Sequence, residues 1–172
     1  LSIPPHAPGD ILTKQIEIGK EYQFQIFYDL GENTIISQNE KTDWDIAFES
    51  SEDGFHILLN SSTFSALSYI ESVSFSDTIS ASNLIWEWDN PNGNLDSTAF
   101  GDYGDANGFF ILDLGYNINA SQRGFKKIII DSVTTEYYKI TYANLDNSNY
   151  NSLKIYKNPE VNFTSFSLIE NN

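Results

Sequence analysis

The chain has 172 residues, 40% hydrophobic and 15% aromatic, enough for one domain with a packed core and too apolar for a disordered chain. Cysteine and methionine are absent, which excludes disulfides, thiolate metal sites and a cysteine nucleophile. Twenty-four Asp and Glu against nine Lys and Arg give a formal net charge of −15. That excludes nucleic acid as a partner, because phosphate binding needs clustered cations.

Residues 1–12 begin LSIPPHAPGD and read as a Pro-rich tether, with a single β domain expected over 13–172. With no Met at position 1, the chain reads as a processed product. No apolar run approaches the roughly 18 residues of a membrane span. Tyr22, Phe24, Ile26, Tyr28 and Leu30 alternate with Gln23, Gln25, Phe27 and Asp29, the period of a strand. Gly31-Glu32-Asn33 is a turn signal. Trp44, Ile46 and Phe48 alternate with Asp43, Asp45, Ala47 and Glu49, which places Asp45 on the face opposite the apolar residues. After the turn at 50–54, Phe55, Ile57 and Leu59 return as a second strand, so the two runs predict a hairpin.

SYIESVSF, residues 68–75, alternates as a further strand, and 76–84 reads as a loop or a helical turn. IWEWD predicts a short strand with Trp86 and Trp88 on one side and Ile85 and Glu87 on the other. FFILDLG, FKKIIIDSV, EYYKITYANL, SLKIYK and NFTSFSL predict five more strands. No segment holds a capped 3.6-residue period, so the expected fold is mainly β, of antiparallel strands with long loops.

The segment DNPNGNLDSTAFGDYGDANGFF, residues 89–110, holds four Asp, four Asn and four Gly with no cation. Placing Gly108 at the sixth position of a calcium loop puts Tyr103 first and Leu114 twelfth, so both anchor ligands are missing. Calcium is not expected, and Asn92-Gly93 and Asn107-Gly108 read as tight turns. Catalysis finds little support. His6 lies in the tether and His56 on a predicted strand, and there is no nucleophile elbow. Glu87 faces away from Trp86 and Trp88, which argues against a sugar-cleaving pocket there. An enzyme is therefore not expected. Between Thr42 and Gln122 there are thirteen Asp and Glu and not one Lys or Arg. This tract reads as a solvated acidic surface or as a docking face for a cationic partner.

Several segments together resemble one family. FYDLGENTIISQNEKTDWDIAFESSEDGFHILLNSS is similar to the opening hairpins of HmuY-like proteins of Bacteroidetes, through Phe27-Tyr28-Asp29-Leu30, Trp44-Asp45-Ile46-Ala47-Phe48 and Leu59-Asn60-Ser61. WEWDNPNGNLDSTAFGDYGD resembles the family's middle loop, and GFKKIIIDSVTTEYYKITYANLDNS its closing strands, with Tyr142-Ala143-Asn144-Leu145-Asp146. The resemblance implies a single HmuY-like β domain. It implies an outer-membrane lipoprotein exposed at the cell surface and held by a lipid on a residue upstream of this chain.

The best-studied members bind haem through two His or two Met in the downstream half. Here there is no Met, and no His after His56, so axial ligands are not identifiable and no cofactor is expected. The function expected is a non-catalytic binding module, an accessory subunit of an outer-membrane transport, secretion or assembly complex. The alternative is a haem-binding, haemophore-type protein using a Tyr or His56. Trp86, Trp88, Asp89, Asp96, Asp102 and Asp105 form the expected partner-contact surface. Asp77-Thr78-Ile79 and Asp96-Ser97-Thr98 match the pattern that Bacteroidetes O-glycosylate, which makes Ser97 and Thr78 candidate acceptors.

Overall fold

The structure is a computed structural model that describes residues 12–170, apart from residues 72, 105 and 106. The expected tether therefore lies almost wholly outside the described residues, as does Asp105. Ten strands and two short 3-10 turns, Ser61–Thr63 and Leu95–Ser97, make up the regular structure, with no α-helix among the described residues. The fold is mainly β and wholly antiparallel, as the alternating pattern predicts.

β1 (Phe24–Asp29) and β2 (Thr34–Glu40) form a two-stranded ribbon. Asp29 Oδ1 accepts the backbone N–H groups of Gly31 (2.7 Å) and Glu32 (3.0 Å), and Asn33 takes a left-handed φ of 52° to close the turn. β2 has no counterpart in the sequence reading. Its residues are almost all exposed, so no buried face imposes a period on them.

β3 (Ile46–Glu49) and β4 (Ile57–Leu59) pair in the expected hairpin, with Ile46 opposite Leu59. β10 (Phe163–Phe166) pairs with the other edge of β3. The remaining sheet has the order β5 (Ala66–Ile70), β6 (Phe109–Asp113), β7 (Phe125–Val133), β8 (Tyr137–Ala143) and β9 (Asn151–Tyr156). Two sequence expectations are corrected. The strand expected over 68–75 ends at Ile70, and the strand expected at IWEWD is a single bridge between Leu67 and Glu87. The first run keeps its pairing with β6 only through residues 68–70.

The three- and five-stranded sheets face each other across one core. Ile46, Phe48, Ile57, Leu59 and Phe166 pack against Leu67, Leu112, Ile128, Tyr138, Ile140 and Tyr142. The Phe48 and Tyr138 rings sit 4.9 Å apart, and the Tyr138 hydroxyl donates to the carbonyls of Glu49 (2.9 Å) and Gly54 (3.1 Å). The central strands are buried on their second face as well. Phe75 from the long 71–84 segment meets Phe109 edge-on at 5.4 Å, and Lys127 donates to the carbonyls of Phe75 and Asp77 (2.9 Å for Asp77). A buried lysine thus ties a coil segment across the back of the sheet, and burial holds its ammonium below the usual lysine pKa.

Asp45 is fully buried, not solvent-facing as the strand period implies. Arg123, just before β7, brings Nη1 to 2.6 Å from Asp45 Oδ1, and its Nη2 donates to the Thr42 carbonyl at 3.0 Å. Asp45 Oδ2 accepts the Leu168 N–H at 2.7 Å. Burial pushes the Asp45 carboxyl above its ordinary pKa, while Arg123 and the Leu168 N–H pull it back. Arg123→Met should therefore cost roughly 3–5 kcal/mol in urea unfolding, because a buried carboxylate is left uncompensated. The double variant Asp45→Asn with Arg123→Met should be more stable than the single variant; equal or lower stability would count against the pair as the linking element.

Candidate functional site

The segment 85–104 follows the 71–84 coil on the way to β6, and its course is set by a few backbone anchors. Glu87 exchanges both backbone hydrogen bonds with Leu67, at 2.8 and 2.9 Å. Asp89 Oδ2 accepts the Leu59 N–H at 2.7 Å and Oδ1 accepts the Ala99 N–H at 2.8 Å, so one carboxylate pins both arms of the loop to β4. Burial raises the Asp89 carboxyl above its ordinary pKa, against the pull of those two donors. The Asn90 N–H donates to the Ser97 carbonyl at 3.0 Å, and Gly93 closes a turn onto Asn90 with a φ of 75°. Asn94 caps the Leu95–Ser97 turn through the Asp96 N–H at 3.2 Å. Asn92-Gly93 is the turn expected. Gly108 serves close packing instead, since a Cβ there would lie 2.0 Å from the Ile70 carbonyl oxygen.

The expected contact residues differ in exposure. Trp86 is half-buried and stacks on Phe125 at 5.9 Å, while Trp88 is exposed. Asp89 is half-buried with its carboxylate engaged; Asp96 and Asp102 are exposed. Thr78 is exposed, whereas Ser97 is half-buried and its Oγ accepts from Asn94 Nδ2 at 3.4 Å. Glu87 is exposed.

A shallow groove of about 570 Å³ lies between this loop and the Ser61–Thr63 turn, lined by Leu58, Phe64, Trp88, Asp89, Pro91 and Gly93 among others. Phe64 was not singled out by sequence reasoning. It is 72% exposed and adopts a φ of 63°, held by its N–H donating to the Ser61 carbonyl at 3.1 Å. A bulky residue in the left-handed region costs on the order of 1 kcal/mol. The segment cannot relax easily: Thr63 is buried, and the Tyr116 N–H donates to its carbonyl at 2.8 Å. A Cβ at Gly115 would lie 1.9 Å from that same carbonyl oxygen. Nothing in the hydrophobic pattern of SSTFS distinguishes Phe64 from a core residue.

His56 is the other polar focus. Its Nδ1 lies 2.6 Å from Glu49 Oε2, and its Nε2 lies 3.8 Å from Asp96 Oδ1. Ser51 Oγ donates to the same Glu49 carboxylate at 2.8 Å. Burial favours protonation of Glu49, but the hydrogen bonds from His56 and Ser51 outweigh it and hold the carboxyl below its ordinary pKa. Among the described residues no group of three His, Asp or Glu could hold a metal ion. The buried phenols are tied as well. Tyr103 donates to the Phe55 carbonyl, and burial pushes the hydroxyls of both Tyr103 and Tyr138 above the ordinary tyrosine pKa.

The charge distribution over the surface follows from where the cations go. Arg123 faces Asp45, Lys126 and Lys127 are buried, with Lys126 donating to Asn144 Oδ1 at 2.8 Å. Lys157 donates to the carbonyls of Ser51 (2.9 Å), Glu52 (2.9 Å) and Gly54 (2.6 Å). Four of the nine basic groups thus serve internal ties, and the outer surface is more acidic than the composition suggests.

The pattern of the HmuY protein family matches residues 21–171, nearly all of the described chain, and the chain belongs to that family. Its members are generally extracellular or surface-associated. No helix among the described residues is long and apolar enough to cross a membrane. Neither the curated proteins nor the solved structures contain a match.

Asp89→Ala should leave the Leu59 and Ala99 N–H groups without their acceptor and cost about 1–3 kcal/mol, with faster amide hydrogen exchange at both positions. Glu49 gives a pH signature. Its folded pKa is depressed, so its contribution is present above the ordinary value of 4.5 and is lost as pH falls through the folded value. Glu49→Gln should flatten the acid limb of the stability curve in that window; an unchanged limb would remove the His56–Glu49 contact from the account.

Proposed function

We propose that the protein is a non-catalytic binding module at the cell surface, an accessory subunit of an outer-membrane transport, secretion or assembly complex. The observation that carries this reading is the inward turn of its cations. Arg123, Lys126, Lys127 and Lys157 stabilise the fold, and the tract from 42 to 122 presents carboxylates and exposed aromatics. Such a surface favours association with a cationic protein partner and disfavours anionic ligands. Family membership supports the surface location, and an N-terminal lipid upstream of the chain is the attachment that this reading implies.

The donor set does not fit a haem iron held by paired His or Met. The chain has neither Met nor Cys, and His56 is the one histidine among the described residues. His56 uses Nδ1 for Glu49 and faces the Asp96 carboxylate with Nε2. The buried tyrosines would have to lose protons that burial makes harder to remove. Haem added to the protein should leave the Soret band of free haem unshifted; a shifted, saturable band would replace this reading with the haemophore one. Native purification from the envelope should yield the protein bound to another envelope protein, and recovery as a free monomer alone would end the accessory-subunit reading.

A further inference from the structure

The geometry points to the groove between Phe64 and Trp88 as the seat of a Lys- or Arg-bearing segment of the protein partner, an assignment that rests on the binding-module reading. Three observations converge there.

The first is that both aromatics are exposed on anchored backbone. Trp88 lies between Glu87, whose backbone exchanges two hydrogen bonds with Leu67, and Asp89, whose carboxylate holds Leu59 and Ala99. Phe64 lies after buried Thr63, whose carbonyl accepts from Tyr116. A partner docking here would meet rings whose main chain is already ordered, which lowers the entropy lost on binding.

The second is the conformation of Phe64. A left-handed φ of 63° is unfavourable for a bulky residue, and 72% exposure gives little packing in return. Glycine or asparagine would fit this turn better. A side chain that is costly to the free fold and open to solvent is accounted for by what it contacts in a complex.

The third is charge. Asp89 lines the groove with its carboxylate engaged by the Leu59 and Ala99 N–H groups, and no Lys or Arg occurs among the lining residues or anywhere from 42 to 122. Aromatic faces attract guanidinium and ammonium groups through the ring quadrupole, and the net charge of −15 adds to that attraction. The same field repels phosphate and carboxylate ligands. A neutral glycan would use the rings but would draw nothing from the surrounding acids, so a cationic segment is the occupant favoured by charge complementarity.

The test uses a blocked six-residue peptide of alternating Arg and Gly, titrated against the chain at physiological salt with tryptophan emission and peptide anisotropy as readouts. Phe64→Ala and Trp88→Ala change no charge, so non-specific attraction to a −15 protein survives them. Each should weaken peptide binding roughly tenfold. Tyr156→Ala, which removes an exposed aromatic outside the groove, should bind as the unsubstituted chain does. Phe64→Gly should bind equally poorly while unfolding at the same or higher urea concentration. Equal affinity in all variants would overturn the proposal, and so would a marked loss of stability in Phe64→Gly, which would make Phe64 a packing residue. A groove that answers neutral maltohexaose and ignores the peptide would assign it to sugar and overturn the proposal as well. The two readings fail separately. Peptide binding lost with Trp88→Ala, in a chain that purifies from the envelope alone, sinks the module and leaves the groove chemistry. An envelope partner that holds equally well to Trp88→Ala sinks the groove and leaves the module.

Discussion

The contact between Asp45 and Arg123 is the constraint on which the arrangement of the sheets depends. Arg123 reaches Asp45 just ahead of β3, the Thr42 carbonyl before it and the Leu114 carbonyl after β6. Asp45 in turn accepts from Leu168 beyond β10, and its own carbonyl accepts the Asn60 N–H after β4. One ion pair therefore joins the start, middle and end of the chain. Burying two charges is unfavourable unless their remaining hydrogen-bonding capacity is met. The backbone groups around the pair meet much of it, which fixes where each segment must run.

The same logic explains the long connections. Coil that crosses a sheet needs partners for its backbone carbonyls, and lysine is suited to supply them because one ammonium carries three donors. Lys127 does so for the 71–84 segment and Lys157 for the 51–54 turn. Asp89 and Asn60 perform the complementary task for N–H groups, Asn60 also donating to the Lys41 and Trp44 carbonyls at 2.7 Å each. Polar side chains here do work that α-helices and further strands do in other folds. The inward turn of the lysines leaves the exterior acidic.

Much of this was legible in the sequence, and the exceptions share a cause. β3, β4 and β6 to β10 were readable because one apolar face met the core, or because a continuous apolar run marked a strand buried on both faces. β2 was not, because a strand exposed on both faces carries no period. Asp45 was misplaced because Arg123 and, more than a hundred residues away, Leu168 enclose it, and alternation cannot reveal cover supplied from so far. At the candidate site, Trp88 was readable as an aromatic in an acidic loop. Phe64 was not, since its distinction is a backbone angle, in a turn closed by its N–H to the Ser61 carbonyl. Asp89 carried the right charge signal with a different outcome, because only the fold shows its carboxylate already engaged.

The placement of Arg123 has a consequence for survival outside a cell. Trypsin-like proteases cut after Lys or Arg in exposed, flexible chain. From residue 42 onward the first such bond follows Arg123, and that side chain is enclosed against Asp45. The loops of the middle tract, rich in Gly and Asn and otherwise easy to cleave, offer this class of protease nothing to recognise. A surface so poor in cations thereby also hides its most vulnerable turns from one of the commonest digestive chemistries.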